Sequence, residues 1–467
     1  MTNISALQSA LSGLIAQRKR LDTIGHNIAN VGTDGYSRQR VDLKSGGNGP
    51  VPALFSDGLI SGDGVDTTGI SRYRDEFLEV RALDERSASS DLAAQSKYFE
   101  RIELVHTEPS DDGLAASMDA FWSSFDEIAN YPGEMPQRTA ALEQANATVN
   151  QFQFMDEQMR ALHRSAVGEA ETIAERVNVL ASEVASLNDA IRPLVLSNAT
   201  PNDLLDQRDV ALSELADLVG IRVENKEDGA VDVFIGGDTL VHSANTVEVE
   251  AVTAVDPGLA DVGVQRLSFQ WVGGGDVNPT GGEAAGLLTM ANTEIPDAIR
   301  ALDGIANNFV TEVNAIHTVS QDLDTNTGWN FFEPTGTTAA TIALSADVDG
   351  QPRRISAAAV GAGELDASAA QAIAALRDTD GGAADQYAEL VGGLGVQVAS
   401  VRARSTAQTS VLQRVDEARL SARAVNLDEE MIDMVAAQRA YEASARVINA
   451  VDEMLDVLVN RLGLIGR

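Results

Sequence analysis

Residues 3–28, NISALQSALSGLIAQRKRLDTIGHNI, place Ile4, Leu7, Leu11, Leu14, Leu21 and Ile28 on a three–four alternation, with Arg18 and Gly25 at the remaining seam positions. A heptad stripe of this length predicts one amphipathic helix. Thr2 or Asn3 can cap its start, and Asn30-Val31-Gly32 tolerates the left-handed backbone that ends it. Thr33-Asp34-Gly35 then reads as a turn, and Tyr36–Leu43 alternates as an extended segment does. The far end of the chain carries a matching stripe. Met434, Ala437, Tyr441, Ser444, Ile448, Val451, Leu455, Leu458 and Leu462 keep one a/d register, behind a start at Asn426 with Asp428, Glu429 and Glu430 in the first turn. A heptad stripe buries its seam only against a second helix, so the first and last helices are natural partners and the chain between them is an outward insertion. Terminal helices of about 25–35 residues lie near the length at which isolated helices are marginal in water. Both ends are therefore expected to be disordered or frayed in the free monomer and to order when neighbouring copies complete the seam. An intramolecular coiled coil is the alternative.

Working outward, helical patterns recur from Arg74 to His106, from Leu114 to Ile128, from Pro136 to Ile191, from Asn202 to Val219 and from 287 to 318. Pro136 suits a first helical turn, and Thr200-Pro201-Asn202-Asp203 combines a cap, a proline and a charge that complements the helix dipole. Val231–Ile235 and Leu267–Trp271 read as strands between Gly-rich turns. The fold class is thus α+β, in four parts. Residues 1–43 with 425–467 form an inner coiled-coil pair of terminal helices, and 44–73 a linker or irregular segment. Residues 74–220 with 287–320 and 383–424 form an α-helical bundle, and 221–286 with 321–382 a β-rich outer domain.

The 467 residues suffice for about three domains. With 44% hydrophobic but only 4% aromatic residues, the cores must be largely aliphatic and alanine-rich. The charge of -36 is uneven: residues 1–50 hold six basic and three acidic side chains, residues 401–467 nine and ten, leaving -38 on residues 51–400. An acidic middle suits exposure to solvent, and near-neutral ends suit close packing against copies or partners. The balance argues against nucleic acid and anionic membranes as partners. No apolar run reaches the ~18 residues of a membrane span, and no secretory signal is expected.

The absence of cysteine removes thiol chemistry, and His26, His106, His163, His242 and His317 fall in no ligand spacing. No enzyme, cofactor or metal site is expected. Asp206, Arg208 and Asp209 read as interhelix ion pairs rather than an acid–base cluster. Asp322, Asp324, Asn326 and Glu333 occupy the first, third, fifth and twelfth places of a calcium loop, but Thr327 stands where the turn glycine belongs, so a plain capped turn is expected.

Asn27-Ile28-Ala29-Asn30-Val31-Gly32-Thr33-Asp34-Gly35-Tyr36-Ser37-Arg38-Gln39 is similar to the N-terminal signature of the bacterial flagellar axial proteins, the rod, hook and hook-associated group. Its Tyr-Ser-Arg-Gln ending resembles the hook-associated form. Asn202–Asp209, with Asn202, Asp206, Arg208 and Asp209, looks like an internal motif of the first hook–filament junction member. Val425–Glu430 followed by Tyr441 resembles the family's C-terminal segment, and Glu312–His317 and Gly328–Phe332 match its middle. Longer members carry an extra β-rich outer domain after the position of Phe332, which is short here. The resemblance implies a secreted, extracellular subunit at the hook–filament junction, exported by the flagellar type III system, that joins hook to filament by interdigitated terminal helices. Implied partners are the hook protein, the second junction protein, an export chaperone on the C-terminal helix, and copies of itself in a ring. The motif residues Asn27, Asn30, Gly35, Tyr36 and Arg38, and the helix faces led by Leu7 and Met434, are its candidate interfaces. Alternatives are a filament subunit, the second junction protein, or a calcium-dependent adhesin.

Overall fold

The computed structural model describes residues 2–46, 64–106, 108–363 and 365–457, with side chains from Ala6 onward. Leu458, Leu462 and the side chain of Ile4 lie outside the described residues. The chain opens with α1 (Thr2–Ala29) and its last described element is α10 (Leu427–Asp456). These two helices pack against each other within one chain. They run antiparallel: a Cβ on Gly13 would sit 3.3 Å from Ser444 Oγ, Arg20 lies 3.8 Å from Asp433, and Asn27 donates to Glu430 at 3.0 Å. Over the described residues the two ends are thus helical and paired within one chain, which is the intramolecular alternative and not the expected frayed ends. The reason is a polar joint at the end of α1, described below, that ties both helices to the rest of the chain.

The seam of α1 also differs from the leucine stripe. Ala10, Ala16, Thr23, Ile24 and Asn27 are buried, whereas Leu7, Leu14, Leu21 and Ile28 are half-buried and Leu11 is 49% exposed. Two partners flank α1 and shift its buried arc: α10, and a hairpin of β1 (Gln39–Gly46) and β2 (Gly64–Arg72). Ser12 on α1 accepts the Val65 amide of β2 at 3.1 Å. Residues 44–73, read as a linker, thus contribute a full strand. On α10 the expected register does face inward, with Ala437 and Val451 buried and Met434, Tyr441, Ile448 and Leu455 half-buried.

The bundle consists of α2 (Glu76–His106), α3 (Leu114–Asn130), α4 (Met135–Leu196), α5 (Asn202–Val219), α6 (Gly282–Thr289), α7 (Ile295–His317), α8 (Ser368–Ala374) and α9 (Ala383–Arg423), with a π-type turn, Met290–Glu294, leading into α7. The 62 residues of α4, about 90 Å of helix, run through two cores. The first joins α2, α4, α5 and α6 to two antiparallel meanders. One is β3 (Arg222–Asn225), β4 (Val231–Ile235), β5 (Asp238–His242) and β6 (Asn245–Thr246). The other is β7 (Val249–Ala254), β8 (Arg266–Trp271) and β9 (Asp276–Val277). The second core joins α3, the start of α4, α7 and α8. Here Phe121, Phe309, Phe331 and Phe332 meet edge-on or tilted at 4.9–5.9 Å between ring centres.

That second core corrects the assignment of residues 321–382 to a β-rich outer domain. Among the described residues the segment holds two isolated bridges, Gln321 with Ala358 and Phe332 with Leu344, and no strand. Its apolar residues Phe331, Phe332, Ile342, Val348 and Ile355 are buried against helices, so it is an irregular cover of the bundle.

One device recurs where helices meet extended chain. A helix asparagine pairs its side-chain amide with the N–H and C=O of a single residue, as a neighbouring strand would. Asn178 holds Val249, Asn188 holds Val231, Asn292 holds Leu267 and Asn314 holds Phe332, all at 2.8–3.0 Å. Such bonds satisfy backbone groups that burial against a helix otherwise strands.

Candidate functional site

Three stretches far apart in sequence converge at the end of α1. Asn27, 1% exposed, makes the same clasp on Gln39: its Nδ2 donates to Gln39 O and its Oδ1 accepts Gln39 N, both at 2.9 Å. Its Oδ1 also accepts the Tyr36 hydroxyl at 2.8 Å. Asn30 ends the helix, returning its Nδ2 to His26 O at 3.0 Å. The turn that follows needs Gly35: its φ is +80°, and a Cβ there would lie 2.3 Å from Val210 Cγ2 on α5. The chain then crosses to the start of α10. Arg38 Nε donates to the buried Glu430 at 2.6 Å, its Nη1 to Glu429 at 2.9 Å, and its Nη2 lies 3.7 Å from Asp433. Asn426 caps α10 by accepting the amide of Asp428 at 3.0 Å, which fixes where Glu429 and Glu430 stand.

The third stretch is the start of α5. Asp206 accepts Ser37 N at 3.0 Å and Arg72 Nη1 at 2.7 Å, and Asp209 accepts Arg72 and Arg74 at 2.8 Å each. Asn202 donates to Ile70 O of β2 at 2.9 Å and to the Gln39 side chain at 3.2 Å. Arg208 does not join this cluster. It turns to the other side of α5, where its Nη1 donates to Asn188 Oδ1 at 2.9 Å and Gly229 O at 2.7 Å. One motif therefore serves two interfaces, its carboxylates toward the terminal helices and its guanidinium toward the first meander.

Burial works against the charge on Arg72, but Asp209 and Asp206 outweigh it and hold the guanidinium above its ordinary pKa. Arg38 behaves alike, with Glu430 and Glu429 overcoming burial. Arg208 has no carboxylate in contact, and burial pulls it down to about 10. Burial, followed by the carboxylates of Asp203, Asp206 and Glu430, pushes the Tyr36 phenol up. The arrangement is a densely bonded polar joint whose side chains hold one another; it is built to fix geometry.

Sequence reading located Asn27, Asn30, Gly35, Tyr36, Arg38, Asn202, Asp206 and Asp209 but missed Arg72, Arg74 and the buried part played by Glu430. It missed Arg419 on α9 too, which pairs with Glu79 on α2 at 2.6 Å. A signal for two of them existed: Arg72-Tyr73-Arg74 is a basic pair in a strongly acidic region. Tyr73 lies under the guanidinium groups of Arg38 and Arg40, 5.2 and 5.1 Å from its ring centre. The calcium-like loop is a turn held by its own groups. Asp322 Oδ1 accepts the amides of Asp324 and Asn326 at 2.8 Å, its Oδ2 accepts Trp329 Nε1 at 3.0 Å, and Asp324 pairs with Arg353 at 3.1 Å. Among the described residues no group of three or more histidine or acidic side chains is placed to hold a metal.

The two strands of chain that meet at this joint match two families of flagellar rod proteins. Residues 7–36 match the flagella basal body rod protein family, and 416–462 the C-terminal family of the basal body rod FlgEFG proteins. Residues 99–332, half of the chain, match the helical domain of flagellar hook-associated protein FlgK. The chain belongs to the FlgK family. It is 27% identical to flagellar hook-associated protein 1 of Bacillus subtilis, over 99% of both chains. It is 29% identical to that of Salmonella typhimurium, over 70% of this chain and 59% of the longer relative. The flagellar hook junction protein FlgK from Burkholderia pseudomallei has a similar fold, with a TM-score of 0.64 at 15% identity over 73% of this chain and 99% of that one. FlgK-family chains are structural components of the flagellum, and the joint, placed between the two rod-like termini and the FlgK helical domain, is where the two parts of the molecule are coupled.

Proposed function

We propose that this chain is the adaptor subunit at the hook–filament junction, with the α1–α10 pair packed into the axial tube and the bundle outside it. The observation that carries this reading is the outward face of the terminal pair. Leu11 and Ile15 on α1, and Met431, Ile432, Val435, Val447, Met454 and Val457 on α10, are 45–70% exposed. Exposed apolar side chains gathered in this number on one helix pair mark an interaction surface, and the near-neutral charge of both ends permits copies to crowd together. The covering groups are the equivalent helices of neighbouring subunits: copies of itself in a ring, the hook protein on one side and the second junction protein on the other. The chain reaches this place through the flagellar type III channel, with an export chaperone covering the α10 face beforehand. The joint then holds the bundle at a set angle to the terminal pair while hook-like and filament-like neighbours bear on either side.

Truncating residues 434–467 tests export and attachment separately. Deleting the whole protein is expected to leave hooks intact and to release filament subunits into the medium; filaments of normal length on such cells would sink the reading. Bulk self-polymerisation of the purified chain would instead favour a filament subunit.

A further inference from the structure

Within the 41 residues of α9, Leu390-Val391-Gly392-Gly393-Leu394-Gly395-Val396 places three glycines in four positions. Glycine inside a helix costs stability relative to alanine. Nothing in this chain calls for it, because a Cβ at 392, 393 or 395 would meet no atom within 4 Å. Beside this saddle a cleft of about 300 Å³ opens between α2, the start of α7 and α9. Its floor is apolar, from Phe99, Ile102 and Leu394, and it includes His106. His106 is 3% exposed, yet neither ring nitrogen has a hydrogen-bond partner. An unpaired buried imidazole marks this floor as a place where the hydrogen bonding of the single chain is incomplete. The rim is acidic. Asp297 is engaged by Arg300 at 2.7 Å and Glu294 accepts the Gln397 amide at 3.0 Å, while Glu389 meets no cation among the described residues.

The face that complements this cleft lies on α4. Both α4 and α9 pack on α2 and α7. The outer side of α4 carries Phe154, Ala161, Arg164 and Gly168 on one helical stripe. Phe154 is 54% exposed, a Cβ on Gly168 would meet nothing within 4 Å, and Arg164 is held only by an exposed pair with Glu157. This ridge is low and apolar at one end, and in its middle Arg164, held only by that exposed pair, can turn from Glu157 to the acidic rim. Copies carrying -36 repel one another, so a contact between them must present a cation to an acid.

We propose that the glycine saddle and cleft of α9 receive the Phe154–Gly168 ridge of α4 from a second copy, with Arg164 seated against Glu389 and Glu294. The proposal deepens the reading above, in which copies stand side by side, by naming the surfaces that meet. Each copy carries both, so the contact is head-to-tail and propagates from subunit to subunit.

The chain has no cysteine, so engineered ones report cleanly. Copies bearing Ser165→Cys and copies bearing Gly392→Cys, which leave Arg164 and Gly393 in place, should give a cross-linked dimer when oxidised together in assembled flagella that neither gives alone. Glu389→Arg should cut the dimer yield at least tenfold for a Gly392→Cys reporter paired with Ser165→Cys, and Arg164→Glu on the facing copy should restore it. Gly393→Leu should leave the thermal unfolding of the free chain unchanged or raised, since the space is open, yet abolish cross-linking by that same reporter pair. Flagella that keep attached filaments but give no cross-link overturn the proposal and leave the adaptor reading standing. So does a cross-link from Gly392→Cys to a different axial protein, or one that survives Gly393→Leu.

Discussion

The aromatic core around Phe309 and the polar joint around Asn27 hold the molecule together by opposite means. In the first, seven fully or nearly fully buried aromatic rings from four segments fill space, and their exact partners matter less than their volume. In the second, amides, carboxylates and guanidinium groups bond to one another and to backbone, and little apolar area is at stake. Burial of charge contributes little net stability when each group must first leave water, but the geometry it imposes is narrow. The comparison teaches that the bundle is stabilised by its core while the angle of the terminal helices is set by the joint.

The largest expected effect falls on the core. Phe309→Ala removes a ring in contact with four others and should destabilise the bundle by about 3–5 kcal/mol in chemical denaturation, leaving the protease resistance of α1 and α10 no worse than that of the bundle. A smaller loss would mean that the cover segment collapses into the gap. Beside this core, His317 donates from Nδ1 to Trp329 O and accepts Ser356 N at Nε2, both at 2.8 Å. Burial, with Arg138 adding to it, lowers its pKa from 6.5 to about 4. The unfolded chain takes up this proton below 6.5 and the folded chain does not until about 4. The stability His317 contributes is thus full above pH 6.5 and is lost as pH falls toward 4, at about 1.4 kcal/mol per pH unit and about 3 kcal/mol in all. His317→Gln should flatten the pH dependence of unfolding by one proton over that window; an unchanged slope would show that the imidazole is already charged in the folded state.

At the joint, Glu430→Ala strands Arg38 and Asn27. It should cost about 2–3 kcal/mol, less than a deeply buried pair because Arg38 keeps Glu429. The distinguishing readout is local: proteolysis within α1 and α10 should rise with the bundle's own unfolding unmoved. If both transitions shift together, the joint and the core are one cooperative unit and the contrast drawn here is lost. Gly35→Ala is smaller, about 1–2 kcal/mol, from a positive φ and the approach of Val210. It too should loosen the terminal pair first.

The terminal helices, the long α4 and the strands at Val231–Ile235 and Leu267–Trp271 were legible from periodicity, because amphipathic repeats are the local image of burial. The irregular cover after Phe332 was read as β-rich because it lacks helical periodicity, yet its residues are buried one by one, with Asn314 supplying the backbone pairing a strand would. The strand Gly64–Arg72 was hidden in a Gly-rich neighbourhood, and with it Arg72. The joint was half legible: its residues stood out as motifs, but nothing local tells Arg38 that Glu430 is its partner.

Sequence alone determined the two amphipathic ends, the acidic middle between them and the absence of cysteine chemistry, since each is a property of composition or of neighbours three or four residues apart. Only the tertiary structure decided that the ends close on each other within one chain, that α1 buries alanines and Asn27 in place of its leucines, and that Asp206 and Arg208 serve different interfaces. Those outcomes depend on which surfaces meet across gaps that run from 20 residues at Arg208 to 403 at Asn27, and hydrogen bonds over such separations leave no period in the chain to read.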